Sequence, residues 1–150
     1  MSTIQTILTD DHNHCDDLFA EAENQVASAR NDSDWQQANA LFEHFQSATL
    51  LHLAREEQVL FPAFEAASGL NGGPTYVMRE EHAQVRDAIQ AMAEALADRQ
   101  GDRFLGLSET LLMLMRQHNI KEEQMLYRMC DQVLASERDA LLERIALMTD

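Results

Sequence analysis

Leu51-His52-Leu53-Ala54-Arg55-Glu56-Glu57-Gln58-Val59-Leu60-Phe61-Pro62 and Gln117-His118-Asn119-Ile120-Lys121-Glu122-Glu123-Gln124-Met125-Leu126-Tyr127-Arg128 are two copies of one pattern. Each reads His-x-x-x-Glu-Glu-Gln, then an apolar residue, a leucine and an aromatic ring. On a helix turning about 100° per residue, a His and a Glu four apart sit about 40° apart, one turn along the same face. They can grip one object together. A single such pair carries little, because exposed pairs at this spacing are common and contribute only a few tenths of a kcal/mol. Two copies with the same flanking residues exceed chance.

Around these stretches, apolar residues recur at helical spacing along most of the chain. Ile4, Ile7, Leu8, Cys15, Leu18, Phe19, Ala22 and Val26 predict a helix over 3–30. Asn31 to Asp34 makes a turn, with Asp32 or Ser33 as N-cap of a helix over 34–68. Pro62 removes a backbone donor and should kink or locally break that helix. Gly69 to Gly73 closes the segment, and Pro74 suits the first position of a helix over 74–99. Gly101-Asp102 forms a short turn before a helix over 102–133, and Ser136 caps a short piece over 137–148. Four long helices on short connections predict an all-α fold. The expectation is one domain, 1–150, built as an up-down-up-down antiparallel four-helix bundle with a short C-terminal fifth helix.

Composition agrees. The chain of 150 residues has only five Gly and two Pro, and is rich in Ala, Leu, Met, Glu and Gln. Its net charge of −15, from 11 basic and 26 acidic residues, argues against nucleic acid and against anionic membrane surfaces as partners. The N-terminal Met1-Ser2-Thr3-Ile4-Gln5 lacks the basic and apolar regions of a signal peptide. Two cysteines, Cys15 and Cys130, make no disulfide framework. A cytoplasmic protein is expected.

A larger duplication encloses the two motifs. Asp10-Asp11-His12 and Glu80-Glu81-His82 each place two acids before a histidine. Each histidine precedes its His-x-x-x-Glu by a similar distance, about 40 residues from His12 to His52 and about 36 from His82 to His118. Counted from the turns at about 1.5 Å rise per residue, the members of each pair fall at one height to within about a turn, while the connection from Glu56 to His82 fits less well and needs the Pro62 break to absorb the offset. His12, His52, Glu56, His82, His118 and Glu122 can therefore converge inside the bundle. Four imidazoles and two carboxylates in a core are costly unless something neutralises them. A metal does so, and the pseudo-two-fold pattern implies two: two histidines to each ion, with Glu56 and Glu122 bridging. Nitrogen and oxygen donors without thiolate suit iron, manganese or zinc rather than calcium or magnesium.

The other chemistry-bearing residues read more blandly. Glu57 and Glu123 are supporting or surface groups rather than ligands. His14 stands about 200° around the helix from His12 and faces solvent, and His44, about 12 Å along the axis from His52, is too distant. Cys15 is packing first, with a redox or nitrosation role as the sharper alternative, and Met113, Met115, Met125 and Met129 are core filler.

In order and spacing these residues resemble the hemerythrin-like family, the HHE cation-binding domain. The resemblance rests on Asp11-His12 with Leu18-Phe19, His52-x-x-x-Glu56-Glu57 with Leu60-Phe61-Pro62, Glu81-His82, and His118-x-x-x-Glu122-Glu123, and covers essentially the whole chain. It implies a non-haem centre of two iron ions (Fe2+/Fe3+) with carboxylate bridges, an oxo or hydroxo bridge and an open position, zinc or manganese ranking behind. It implies binding or sensing of dioxygen, nitric oxide or peroxide. The alternatives are a peroxidase- or oxidase-like enzyme and an iron donor for damaged iron–sulfur clusters, with an unidentified redox partner protein. The oxygen carriers of the family have a fifth histidine, in His-x-x-x-His on the third helix. Here Arg86 stands four after His82 and Met78 four before it, giving a four-His, two-Glu variant. Glu81, Tyr76, Tyr127 and solvent are the candidates for the vacated position. The ferritin-like Glu-x-x-His pattern is missing, which favours gas or peroxide chemistry over iron storage.

Overall fold

The computed structural model describes residues 2–149, and every regular element among them is helical. Met1, part of the N-terminal stretch read above, and Asp150 lie outside the described residues. Helix α1 is Ile4–Ser28, α2 Asp32–Arg55, α3 Phe61–Ser68 and α4 Pro74–Ala97. Helix α5 is Gly101–Lys121, α6 Tyr127–Val133 and α7 Arg138–Leu147. Two π-helical segments, Glu56–Leu60 and Glu122–Leu126, join α2 to α3 and α5 to α6 without interrupting the rods. The result is a helical bundle in which α1 packs along α2 and α4 along α5.

The helix ends follow local chemistry. Thr3 and Thr6 form a reciprocal capping box at the start of α1. The Asp131 carboxylate accepts from the Ile4 and Gln5 amides at 2.9 and 3.1 Å, placing negative charge on a helix N-terminus. The cap of α2 is Asn31, not Asp32 or Ser33: its backbone is extended and its side chain accepts from the Asp34 amide at 2.9 Å, while the next two residues are already helical. Gly69 ends α3 in the left-handed conformation at φ 74°. The turn before α5 is Asp98–Gln100 rather than Gly101-Asp102, with Arg99 taking the left-handed position at φ 53°. Gly101 is the first helical residue, and a Cβ there would sit 3.4 Å from the Trp35 ring. Helix α7 begins after Glu137 with no side-chain cap, so Ser136 does not serve as one.

Pro62 does not break its helix. It occupies the first turn of α3, just after a π segment. The proline does not cause that segment either, because the second copy has one with Arg128 in the equivalent place. What the copies share is the wide hydrogen bond: the Phe61 amide reaches back to the Glu56 carbonyl, and the Tyr127 amide to the Glu122 carbonyl. Each bulge inserts one residue and shifts the frame of everything after it. In an unbroken α-helix Phe61 and Tyr127 would lie about 180° from His52 and His118; one inserted residue brings them to about 80°. Both rings are accordingly fully buried.

The core forms two apolar layers. One contains Phe19, Phe42, Phe45, Ile89, Met92, Phe104 and Leu111. The other contains Ile4, Leu8, Leu60, Phe64, Leu126 and Cys130, covered by Leu141 and Ile145 of α7. Along α1, Leu8 belongs to the second layer, Phe19 to the first, and His12 lies between them. The polar level is thus sealed from both sides. Met115 joins the core, but Met113 and Met125 are 65% and 60% exposed. Met113 stands two residues from both Leu111 and Met115, about 200° around the helix, so it must face outward when they face in. No helix among the described residues is long and apolar enough to cross a membrane.

Candidate metal centre

The six residues picked out by spacing meet at this level, every one of them buried. His12 comes from α1, His52 from α2, His82 from α4 and His118 from α5, while Glu56 and Glu122 are the first residues of the π segments. Their donor atoms form two groups, each within 4.8 Å: Glu56, His82, His118 and Glu122, and His12, His52 and Glu122. Each pair of histidines comes from one helical hairpin, and Glu122 belongs to both groups.

Every imidazole turns Nε2 inward and gives Nδ1 to a carboxylate on the next helix. His52 Nδ1 is 3.3 Å from Asp11, His82 Nδ1 2.6 Å from Glu57, His118 Nδ1 2.8 Å from Glu81 and His12 Nδ1 2.7 Å from Glu123. Each of these acids neighbours a centre residue in sequence, so the contacts close a ring around the bundle. Glu57 and Glu123 lie about 140° from the histidine of their own helix, which is why they serve a different helix. A carboxylate on Nδ1 fixes the proton there and orients the Nε2 lone pair at the centre. Cations back three of the four: Arg55 on Asp11 at 3.2 Å, Arg86 forked on Glu57 at 2.7 and 3.0 Å, and Lys121 on Glu81. Arg86, found where the fifth histidine would stand, thus faces outward and steadies the partner of His82.

Tyr127 enters the centre itself. Its hydroxyl donates to Glu56 Oε2 at 2.8 Å or Glu122 Oε1 at 3.0 Å, and lies 3.1 Å from His12 Nε2 and 3.4 Å from His52 Nε2. Of the other candidates for the vacated position, Tyr76 is 55% exposed and Glu81 is on the outer side of His118. His14 and His44 are exposed, and Cys15 is buried.

With no metal bound, His52, His82, His118, Glu122 and Tyr127 shift one another's proton affinities. Burial opposes a charged His82, but Glu122 and Glu56 outweigh it and raise its pKa to about 9. His52 and His118 are raised in the same way against burial, His52 by Glu56 and Asp11, His118 by Glu122. Glu122 is held well below the usual carboxylate range despite its burial, by its close approach to Glu56 and to His118, His12 and His82. Burial, then the charges of Glu122 and Glu56, push the Tyr127 phenol well up.

Those protons do not satisfy the geometry. Glu56 Oε1, His82 Nε2, His118 Nε2 and Glu122 Oε2 are buried with no hydrogen-bond partner. His82 Nε2 and Glu56 Oε1 approach to 3.2 Å without the alignment of a hydrogen bond. Unpaired buried polar atoms are uncommon and cost about 1–3 kcal/mol each. Here the four of them include one from every residue of the larger donor group. Converging lone pairs of this kind fit a cation. The six central residues are legible in the sequence through its two repeats, whereas the Nδ1 role of Asp11 and Glu81 leaves only the trace of an acid directly before His12 and before His82.

No curated protein and no solved structure matches the chain. The family model described as hemerythrin HHE cation-binding domain matches residues 3–130, a span containing all six central residues and the four acids that orient them. By that match, and with a buried His/Glu cluster fit for cations, the chain belongs to the hemerythrin HHE cation-binding domain family.

Proposed function

We propose that the centre holds two iron ions and that the protein binds or senses dioxygen, nitric oxide or peroxide. The observation that supports this most strongly is the pair of donor groups sharing Glu122, with the inward nitrogens oriented by acids behind them. In this reading His12 and His52 would hold one ion, His82 and His118 the other, and Glu56 and Glu122 would be shared between them. When bound, the iron pair supplies electrons and a Lewis-acidic position for a small ligand. The rest is done by the chain. The two apolar layers exclude bulk water, the Nδ1 carboxylates keep four imidazoles in register, and the Tyr127 oxygen lies against both central carboxylates. A surface cavity of about 540 Å³ opens over Asp11, Cys15 and Arg55, on the outer side of His52.

The reading takes the bundle as up-down-up-down, which its short connections favour. It places the protein in the cytoplasm, where two buried free thiols suit a reducing medium. Partners are the small ligand and a separate redox protein, without nucleic acid or membrane. An enzymatic reading, as a peroxidase or oxidase or as an iron donor for iron–sulfur repair, uses the same residues and differs in turnover.

The test is metal content after anaerobic purification from iron-supplemented cells, followed by the visible spectrum on admitting air. About two irons per chain with bands that vanish under vacuum would mean reversible dioxygen binding. Bands that persist would point to peroxide and nitric oxide, where repeated turnover separates an enzyme from a sensor that reacts once. Absence of iron would overturn the proposal.

A further inference from the structure

The internal repeat is broken at one chemically decisive atom. Phe61 and Tyr127 occupy equivalent positions, five residues after Glu56 and Glu122. They are placed alike: the Phe61 ring stacks on His82 with centroids 5.5 Å apart, and the Tyr127 ring on His12 at 5.6 Å. At this pair of positions a single hydroxyl distinguishes the two halves. It lies beside the smaller donor group, the one with three residues rather than four. The half that carries Phe61 already has its four donors.

From this placement the geometry points to Tyr127 Oη as a further protein ligand, beside the shared carboxylates, of the ion held by His12 and His52. Donor atoms about 2.0–2.2 Å from one ion lie roughly 2.8–3.6 Å from one another at octahedral or tetrahedral angles. The Tyr127 oxygen is 3.1 Å from His12 Nε2, 3.4 Å from His52 Nε2 and 3.0 Å from Glu122 Oε1, so all three separations are those of ligands sharing one ion. The π segment Glu122–Leu126 is what delivers it, since without the inserted residue the ring would face away from His118. Ligation replaces the phenol O–H bond with an oxygen–metal bond. The proton leaves by way of Glu56 Oε2, 2.8 Å away, to solvent. The two ions then become inequivalent. An anionic oxygen stabilises the more highly charged state of its own ion, while the ion beside Phe61 has no such donor.

This inference rests on the iron reading above, and the experiment separates the two. The iron-loaded, air-oxidised protein is examined by metal analysis, visible absorption and resonance Raman, alongside Tyr127→Phe and Tyr76→Phe. Tyr76 is the other tyrosine of the chain and is exposed. Expected are two irons, a phenolate-to-iron charge-transfer band and enhanced phenolate ring vibrations in the wild type and in Tyr76→Phe, all phenolate signals being lost in Tyr127→Phe. Chelator competition should show one ion of Tyr127→Phe bound at least about tenfold more weakly, the other unchanged. Two tightly bound irons in the wild type without phenolate vibrations would refute the ligand while leaving the iron pair standing, whether or not the variant folds. Survival of the band in Tyr127→Phe would refute it too. A wild type that takes up no iron would refute both readings.

Discussion

Glu57→Ala should weaken metal binding without touching a central residue. Glu57 Oε2 is 2.6 Å from His82 Nδ1 and is itself fixed by the Arg86 fork, so it sets both the ring angle and the proton position of His82. Arg86 and Glu57 are 40% and 23% exposed, and the pair adds little to global stability beyond that steering. The metal should feel the loss more than the fold does. Removing a carboxylate behind a ligating imidazole lowers metal affinity by about 10–100-fold, or about 1.4–2.7 kcal/mol. The effect should fall on the ion held by His82 and His118. Competition against a chromogenic chelator, with zinc as a redox-inert probe, resolves the two ions. Glu80→Ala is the control, removing the same charge from an exposed neighbour of Glu81. Equal affinities for the two variants would show that the Nδ1 contacts do not steer the centre, and the ring of carboxylates would lose its meaning.

His118→Ala should leave fewer than two ions per chain, measured by elemental analysis; full loading would mean the central residues were misassigned. Metal uptake should release protons and tighten as pH rises toward about 9, because His82 is protonated below that value in the metal-free protein; calorimetry in buffers of different ionisation enthalpy reads the proton count. For the same reason the contribution of His82 to metal-free stability is full below its unfolded pKa of about 6.5 and is lost as pH rises through about 9, so urea midpoints of the metal-free protein should fall over that window and those of the metal-loaded protein should not. Phe64→Ala empties a fully buried site beneath the centre and should cost about 3–5 kcal/mol in urea unfolding.

The His-x-x-x-Glu-Glu repeat, together with the acid-acid-His repeat that precedes each copy, was enough to bring six residues to one level, because a helix has a fixed rise and turn. Periodicity likewise marked the helices but missed the two π segments, the harmless place of Pro62 and the helix ends: Asn31 rather than Asp32 caps α2, and Gly101 lies inside α5, since a cap depends on one backbone torsion that composition does not reveal. The exposure of Met113 could have been read from the same phase that buried Leu111. Other features lay beyond the sequence. Which helix each of Asp11, Glu57, Glu81 and Glu123 would serve depends on how neighbouring helices are set against each other, and no spacing along one helix encodes it. The position of Tyr127 depended on a single π turn. An unbroken helix puts its hydroxyl on the far side from His118, and only the inserted residue, stabilised by packing the ring beneath His12, carries it into the centre.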